Sequence, residues 1–194
     1  MSNEMADGPA PGHPEIWRVM ADNPGPMTLT GTNTYLWGSD PCWVIDPGPA
    51  DEVHIAAVKA AIEERGGAAG VLLTHSHADH TGGVEMLGVP VVEFTREAGP
   101  NGEAEVVGQL DAELEIVALF TPGHSADHVC FLSAPGLGVP CFSGDLILGW
   151  GSTYVPPDGG SLASYLDSLR LLQRWRPGLI CPGHGPWITD AAGR

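Results

Sequence analysis

Basic residues are scarce in this chain of 194 residues. Eight Lys and Arg face 24 Asp and Glu, the net charge is −16, and Lys59 is the single lysine. Nucleic-acid affinity comes largely from Lys and Arg displacing phosphate counterions, so an extended nucleic-acid surface is not expected. Arg170, Arg174 and Arg176 form the one basic cluster, and at helical spacing they read as a solvated face. No apolar run approaches the length of a membrane span, which excludes a helical membrane protein. The N-terminus has neither a basic region nor an apolar stretch behind it, so no secretory signal is expected and the protein reads as cytoplasmic. None of the four cysteines forms a CxxC pair. Cys42, Cys130 and Cys141 lie in apolar runs and Cys181 follows one, the placement of buried free thiols rather than a disulfide framework. No motif fixes an oligomeric state.

Glycine and proline are abundant, 27 and 18 residues, but they are spread between apolar runs and imply many tight loops. Residues 1–14 read as a flexible tail and residues 15–194 as one domain. Strands are expected at Ile16–Met20, Asn33–Trp37, Cys42–Ile45, Gly70–Leu73 and Val89–Phe94. In the second half they are expected at Glu103–Val107, Glu113–Phe120, His128–Ser133, Val139–Phe142 and Leu179–Cys181. Helices are expected at Asp51–Arg65, on the spacing of Ile55, Val58 and Ile62, and at Asp79–Leu87. A third is expected at Ser161–Trp175, with Leu162, Tyr165, Leu166, Leu169 and Leu172 on one side. Strands followed by a helix, twice over, suggest two sheets packed face to face between outer helices.

The placement of the eight histidines carries the chemistry. Three fall in Thr74-His75-Ser76-His77-Ala78-Asp79-His80, directly after the apolar run Val71–Leu73. His75 and His77 are two residues apart and point to one side if strand geometry persists, while Asp79 and His80 turn toward a second point. Three further strand ends deliver His124, Asp145 and His184, each preceded by Gly. Four strand ends presenting His or Asp form the pattern of one metal site at the edge of a sandwich. His13 and His54 lie outside these segments and read as solvated. His128 reads equally as a support for the site or as a structural histidine. Asp46 reads equally as a turn former or as a partner that fixes a ligand's tautomer.

The set His75, His77, Asp79, His80, His124, Asp145 and His184 resembles the metallo-β-lactamase superfamily over Gly31 to Pro186. The segments Gly31-Thr32-Asn33-Thr34-Tyr35, Ile45-Asp46-Pro47-Gly48, Thr121-Pro122-Gly123-His124-Ser125 and Pro182-Gly183-His184-Gly185-Pro186 are similar to its lactamase-beta-2-like subgroup. So are Ser143–Gly149 and Tyr165–Leu169. That subgroup usually continues into a small helical region, whereas ten residues follow His184 here.

The resemblance implies a four-layer αβ/βα sandwich. It implies His75, His77 and His124 on one metal, Asp79, His80 and His184 on a second, and Asp145 between them. Five imidazoles and two carboxylates suit two Zn2+, and Fe or Mn fit the same ligand types. The function implied is a dinuclear zinc hydrolase. A hydroxide bridging the metals attacks an ester, thioester, lactone or phosphodiester, with Asp79 and Asp145 as catalytic residues. Asp145 stands where true metallo-β-lactamases commonly carry Cys or Ser, which points away from a dedicated resistance enzyme. The alternatives are an endoribonuclease on single-stranded RNA, a promiscuous β-lactamase, a mononuclear-iron persulfide dioxygenase, and a non-catalytic scaffold. Partners are thus a small molecule or a phosphodiester. The loop Gly149–Tyr154 is expected either to line the substrate mouth, with Trp150 or Tyr154 as an apolar wall, or to pack as a surface loop.

Overall fold

The computed structural model describes residues 6–95, 105–109, 115–134 and 138–190. The first sheet contains β1 (Gly8–Ala10), β2 (His13–Met20), β3 (Asn33–Trp37), β4 (Cys42–Ile45) and β5 (Ala68–Leu72), in that order. The second runs β10-β9-β8-β7-β6, from β6 (Glu105–Gln109), β7 (Glu115–Phe120), β8 (Val129–Ala134), β9 (Pro140–Gly144) and β10 (Leu179–Pro182). Each sheet is antiparallel except for one parallel pair, β4 with β5 and β9 with β10. Those parallel pairs are joined through α1 (Glu52–Glu63) and α4 (Leu162–Trp175), the crossovers that parallel neighbours require. Two short helices, α2 (Ala78–Thr81) and α3 (Val84–Leu87), follow β5.

The layering follows from the two-residue period of the strands. Tyr35 and Trp37 of β3 face inward, with Ile16, Ile45 and Leu72, onto Ile116, Phe131, Phe142 and Cys181 of the second sheet. Leu36 between them faces outward with Val44 and Val71, onto Ile55, Val58 and Ile62 of α1. The second sheet repeats the arrangement: Val117, Leu119, Cys130 and Leu132 turn outward onto Leu172 of α4. Both faces of each sheet are covered, so strand interiors such as β3 are buried at every residue. This is the four-layer αβ/βα sandwich. All four cysteines are buried and free. Among the described residues no helix is long and apolar enough to cross a membrane.

Several expectations need correction. Residues 8–14 are not tail: Gly8–Ala10 pairs with β2, which itself begins at His13, while residues 1–5 lie outside the described residues. The helix expected over Asp79–Leu87 is two helices, divided at Gly82-Gly83. Val89–Phe94 is no full strand. Pro90 has no N–H to give a ladder, and only the bridge between Val91 and Val71 forms. The expected strand starts at Glu103 and Glu113 lie outside the described residues. On α4 the buried stripe is rotated. Leu162 and Leu166 are exposed, and Ser168 is buried with its hydroxyl donating to Pro122 O at 2.7 Å. His54 is buried rather than solvated; its Nε2 lies 2.9 Å from Thr34 Oγ1. His13 is partly exposed beside Glu15.

Candidate metal centre

The ends of β5, β7, β9 and β10 meet at one rim of the sandwich and bring all seven sequence-predicted ligand residues together. His77 Nδ1 lies 3.0 Å from both His75 Nε2 and His124 Nε2. On the other side His184 Nε2 is 3.2 Å and His80 Nε2 3.6 Å from Asp79 Oδ2. Asp145 stands between the two groups. Its Oδ1 is 3.5 Å from His80 Nε2 and 3.4 Å from His184 Nε2, and its Oδ2 is 3.5 Å from His124 Nε2. Two three-donor groups, His75/His77/His124 and Asp79/His80/His184, are each compact enough to surround one ion.

These spacings fit a metal. A tetrahedral ion with bonds of about 2.0–2.1 Å separates its ligand atoms by about 3.3 Å, the middle of the observed range. The tautomers agree. The outer nitrogens of four histidines meet acceptors: His124 Nδ1 meets Tyr154 O at 2.7 Å, His184 Nδ1 meets Gly31 O at 3.2 Å, and His80 Nδ1 meets Asp46 Oδ2 at 2.9 Å. Thr74 Oγ1 donates its proton to Asp46 Oδ2 at 2.7 Å, so toward His75 Nδ1, at 3.0 Å, it can only accept. When neutral, each of these rings therefore carries Nδ1–H and turns the Nε2 lone pair inward. His80 Nε2, His184 Nε2 and Asp145 Oδ1 are buried with no hydrogen-bond partner, an arrangement that costs free energy unless something ligates them.

The electrostatics point the same way. Burial lowers the pKa of His184, but the adjacent Asp145 and Asp79 carboxylates prevail and raise it to about 9. Burial likewise opposes protonation of His80, yet the Asp145 and Asp46 carboxylates hold its pKa well above the ordinary value. Burial opposes ionisation of Asp145, and the His80 and His184 imidazoles bring its pKa well below the usual carboxylate range. In the metal-free protein, protons on the second group thus occupy the place of positive charge. His75, surrounded by imidazoles and buried, is depressed instead.

The supporting shell shows how the sequence builds this rim. Asp46 adopts a left-handed backbone (φ 50°) and is buried. Its Oδ1 accepts from Thr74 N at 2.8 Å while Oδ2 takes Thr74 Oγ1 and His80 Nδ1, so it is a tautomer-fixing partner as well as a turn former. His128 Nε2 accepts from Asp145 N at 3.2 Å, and its Nδ1 lies 3.0 Å from Thr121 Oγ1. Burial pushes its pKa down to about 3, which keeps it the neutral acceptor that this contact needs. Two glycines are dictated by close approach. A Cβ on Gly183 would lie 2.6 Å from Asp145 Oδ1 and 2.7 Å from His80 Cε1, and one on Gly123 would lie 2.5 Å from the Tyr165 Cα.

Sequence reading missed the fasteners. Asn33 Nδ2 donates to Pro182 O and Gly185 O, each at 2.9 Å, and Tyr35 Oη donates to Pro182 O at 2.8 Å. They tie β3 to the His184 turn across the two sheets. The loop Gly149–Tyr154 does belong to the rim. Thr153 Oγ1 donates to Asp145 O at 2.9 Å, and the Tyr154 carbonyl orients His124. The Trp150 and Tyr154 side chains are exposed, however, and neither is an apolar wall of the open cavity of about 410 Å3 beside His77 and His124. That cavity is lined by residues after them and after His124, including Ser125, Asp127, Pro156 and Asp158.

The comparisons with known proteins agree with the architecture. Residues 27–88 match the model of the metallo-beta-lactamase superfamily. An atrochrysone carboxyl ACP thioesterase of Aspergillus fumigatus is 38% identical over 190 residues, covering 91% of this chain and 58% of that protein. The chain spans about half the length of the curated relatives it matches. Among solved structures, a metallo-beta-lactamase family protein from Thermus thermophilus superposes with a TM-score of 0.72 at 20% identity, over 95% of this chain and 78% of that one. The protein TTHA1623, solved in a di-iron-bound form, gives a TM-score of 0.63 at 25% identity, over 89% and 93%. The fold, the match of residues 27–88 to the family model and the His/Asp rim agree in supporting membership of the metallo-β-lactamase superfamily.

Proposed function

We propose that the chain is a metal-dependent hydrolase that cleaves an acyl thioester at a dinuclear centre. His75, His77 and His124 would hold one ion and Asp79, His80 and His184 the other, with Asp145 placed to be shared between them. The observation that carries this reading is the Asp145 carboxylate, which offers one oxygen to each three-donor group. The choice of a thioester is supported by the name of the Aspergillus fumigatus relative. Five imidazoles and two carboxylates suit zinc, and the di-iron form of a structural relative keeps iron within the reading.

When bound, the ions supply Lewis acidity, which lowers the pKa of water toward neutrality and polarises a carbonyl. The protein's own residues do the rest. Asp79 is the more solvent-exposed carboxylate of the cluster, 29% against 10% for Asp145, and is the group that takes the proton of the attacking water. Asp145, anchored through its own N–H by His128, stays ionised and fixes the spacing of the two halves. His124, aimed by the Tyr154 carbonyl, forms one edge of the cavity where the acyl group lies. Water adds to the carbonyl carbon, the C–S bond breaks, and the proton held on Asp79 passes to the departing sulfur.

Metals per chain, measured on protein purified without chelator, together with assays on a thioester, a lactone, a phosphodiester and a chromogenic β-lactam, test this reading. The expected result is two ions and thioester cleavage, both lost in Asp145→Ala. One iron per chain with oxygen uptake and no hydrolysis would overturn it in favour of a mononuclear dioxygenase.

A further inference from the structure

The cavity beside His77 and His124 has an unusual charge. Ser76, Ala126, Pro156 and Gly159 contribute neutral surface, and among the described residues the carboxylates of its lining are those of Asp127 and Asp158. Asp127 is held in place: Ser125, itself buried, donates its hydroxyl to Asp127 Oδ1 at 2.8 Å. Asp158, on the loop before α4, lines the same cavity. No Lys or Arg among the described residues lines the cavity.

Sites that receive carboxylate or phosphate groups offer Arg, Lys or converging backbone N–H groups. Two carboxylates lining a recess, one of them held by a buried serine, within a chain of net charge −16, do the reverse. We propose that Asp127 and Asp158 make this cavity a charge filter, receiving the acyl part of the substrate as a neutral or cationic group and rejecting an acyl group that carries a carboxylate or phosphate. The proposal rests on the thioester reading above and narrows its substrate class. The filter also favours departure of the product, because hydrolysis creates a carboxylate close to these walls.

The test separates the filter from the chemistry by using probes that cannot be cleaved. Calorimetry on the metal-loaded protein measures the Kd of two thioethers of N-acetylcysteamine, S-butyl and S-carboxypropyl, which share a chain length and differ in one charge. The quantity read is the ratio of the two Kd values, because the carboxylate probe also has an attraction for the ions that is common to all variants. In Asp127→Asn/Asp158→Asn the ratio is expected to shift about tenfold toward the carboxylate probe. Asp158→Asn alone, an exposed substitution that leaves the fold in place, is expected to give about threefold. Salt at about 0.5 M is expected to narrow the wild-type ratio. A ratio unchanged in both variants, or no binding of either probe, would overturn the filter. A shifted ratio in a protein that cleaves no thioester would leave the filter standing and remove the thioester reading instead.

Discussion

Asp46→Asn is the substitution whose consequences the structure defines most closely. Asn tolerates the left-handed backbone that Asp46 adopts at φ 50°, so the turn itself is preserved and only hydrogen-bond chemistry changes. The carboxylate accepts three hydrogen bonds, from Thr74 N, Thr74 Oγ1 and His80 Nδ1. An amide has one oxygen and one NH2, so one end of it must face a donor. If the NH2 faces His80, that ring must accept at Nδ1 and carry its proton on Nε2, which removes the lone pair aimed at the second ion. Loss of such a supporting partner typically weakens metal binding about 10–100-fold, or about 1.4–2.8 kcal/mol. If the NH2 faces Thr74 instead, a buried backbone N–H is left unpaired at a cost of about 1–3 kcal/mol in stability. Competition against a chromophoric chelator reads the first outcome and urea unfolding of the metal-free protein reads the second. The expected result is weaker binding of the second ion, and of the first where the released Thr74 hydroxyl donates to His75 Nδ1, or a loss of stability, or both. Two ions at wild-type affinity in a protein of wild-type stability would refute the role given to Asp46.

Three other perturbations follow from the same contacts. Gly183→Ala places a methyl group against Asp145 Oδ1 and His80 Cε1, and is expected to abolish tight binding of the second ion while leaving the far-ultraviolet circular dichroism unchanged; elemental analysis after dialysis checks it. His184, with its pKa raised to about 9, stabilises the metal-free fold fully below the unfolded value near 6.5 and loses that contribution as pH rises through 9. A metal must displace this proton, so calorimetric titrations near pH 7 in buffers of different ionisation enthalpy are expected to show net proton release, shrinking toward zero as pH rises past 9. His54 has the opposite sign: burial lowers its pKa, so its contribution is complete above about 6.5 and is lost as pH falls below that. In His54→Gln the drop in unfolding free energy between about pH 7 and pH 5 is expected to be smaller than in the wild type.

The candidate metal site was legible in the sequence because each of its four segments starts close to a strand end: Asp145 and His184 follow β9 and β10 by one and two residues, and His75 and His124 follow β5 and β7 by three and four. The apolar run before His75 and the Gly before His124 and His184 place those side chains at a rim with no knowledge of distant contacts. The cavity walls were not legible in this way. Asp127 and Asp158 line one cavity only because the His124 turn and the loop before α4 fold beside the same opening. Trp150 and Tyr154 looked like walls because they are aromatic and close to Asp145, yet it is the backbone carbonyl of Tyr154 that serves the site. His54 did carry a signal. It stands four residues before Val58 on the face of α1 that also carries Ile55 and Ile62, so helical spacing alone places it toward the sheet. The face of α4 was misread for a different reason. Counting leucines favoured Leu162 and Leu166, whereas the hydrogen bond from Ser168 to Pro122 O belongs to the buried stripe that they leave.

The central claim is that two ions share Asp145. X-ray absorption spectroscopy at the metal edge, on protein loaded with zinc and dialysed, tests it most directly. The account predicts two ions per chain, nitrogen and oxygen neighbours at about 2.0–2.2 Å, and a metal–metal vector of about 3.5–4 Å that disappears in Asp145→Ala. A single ion per chain, or two ions with no metal–metal vector in the wild type, would contradict it.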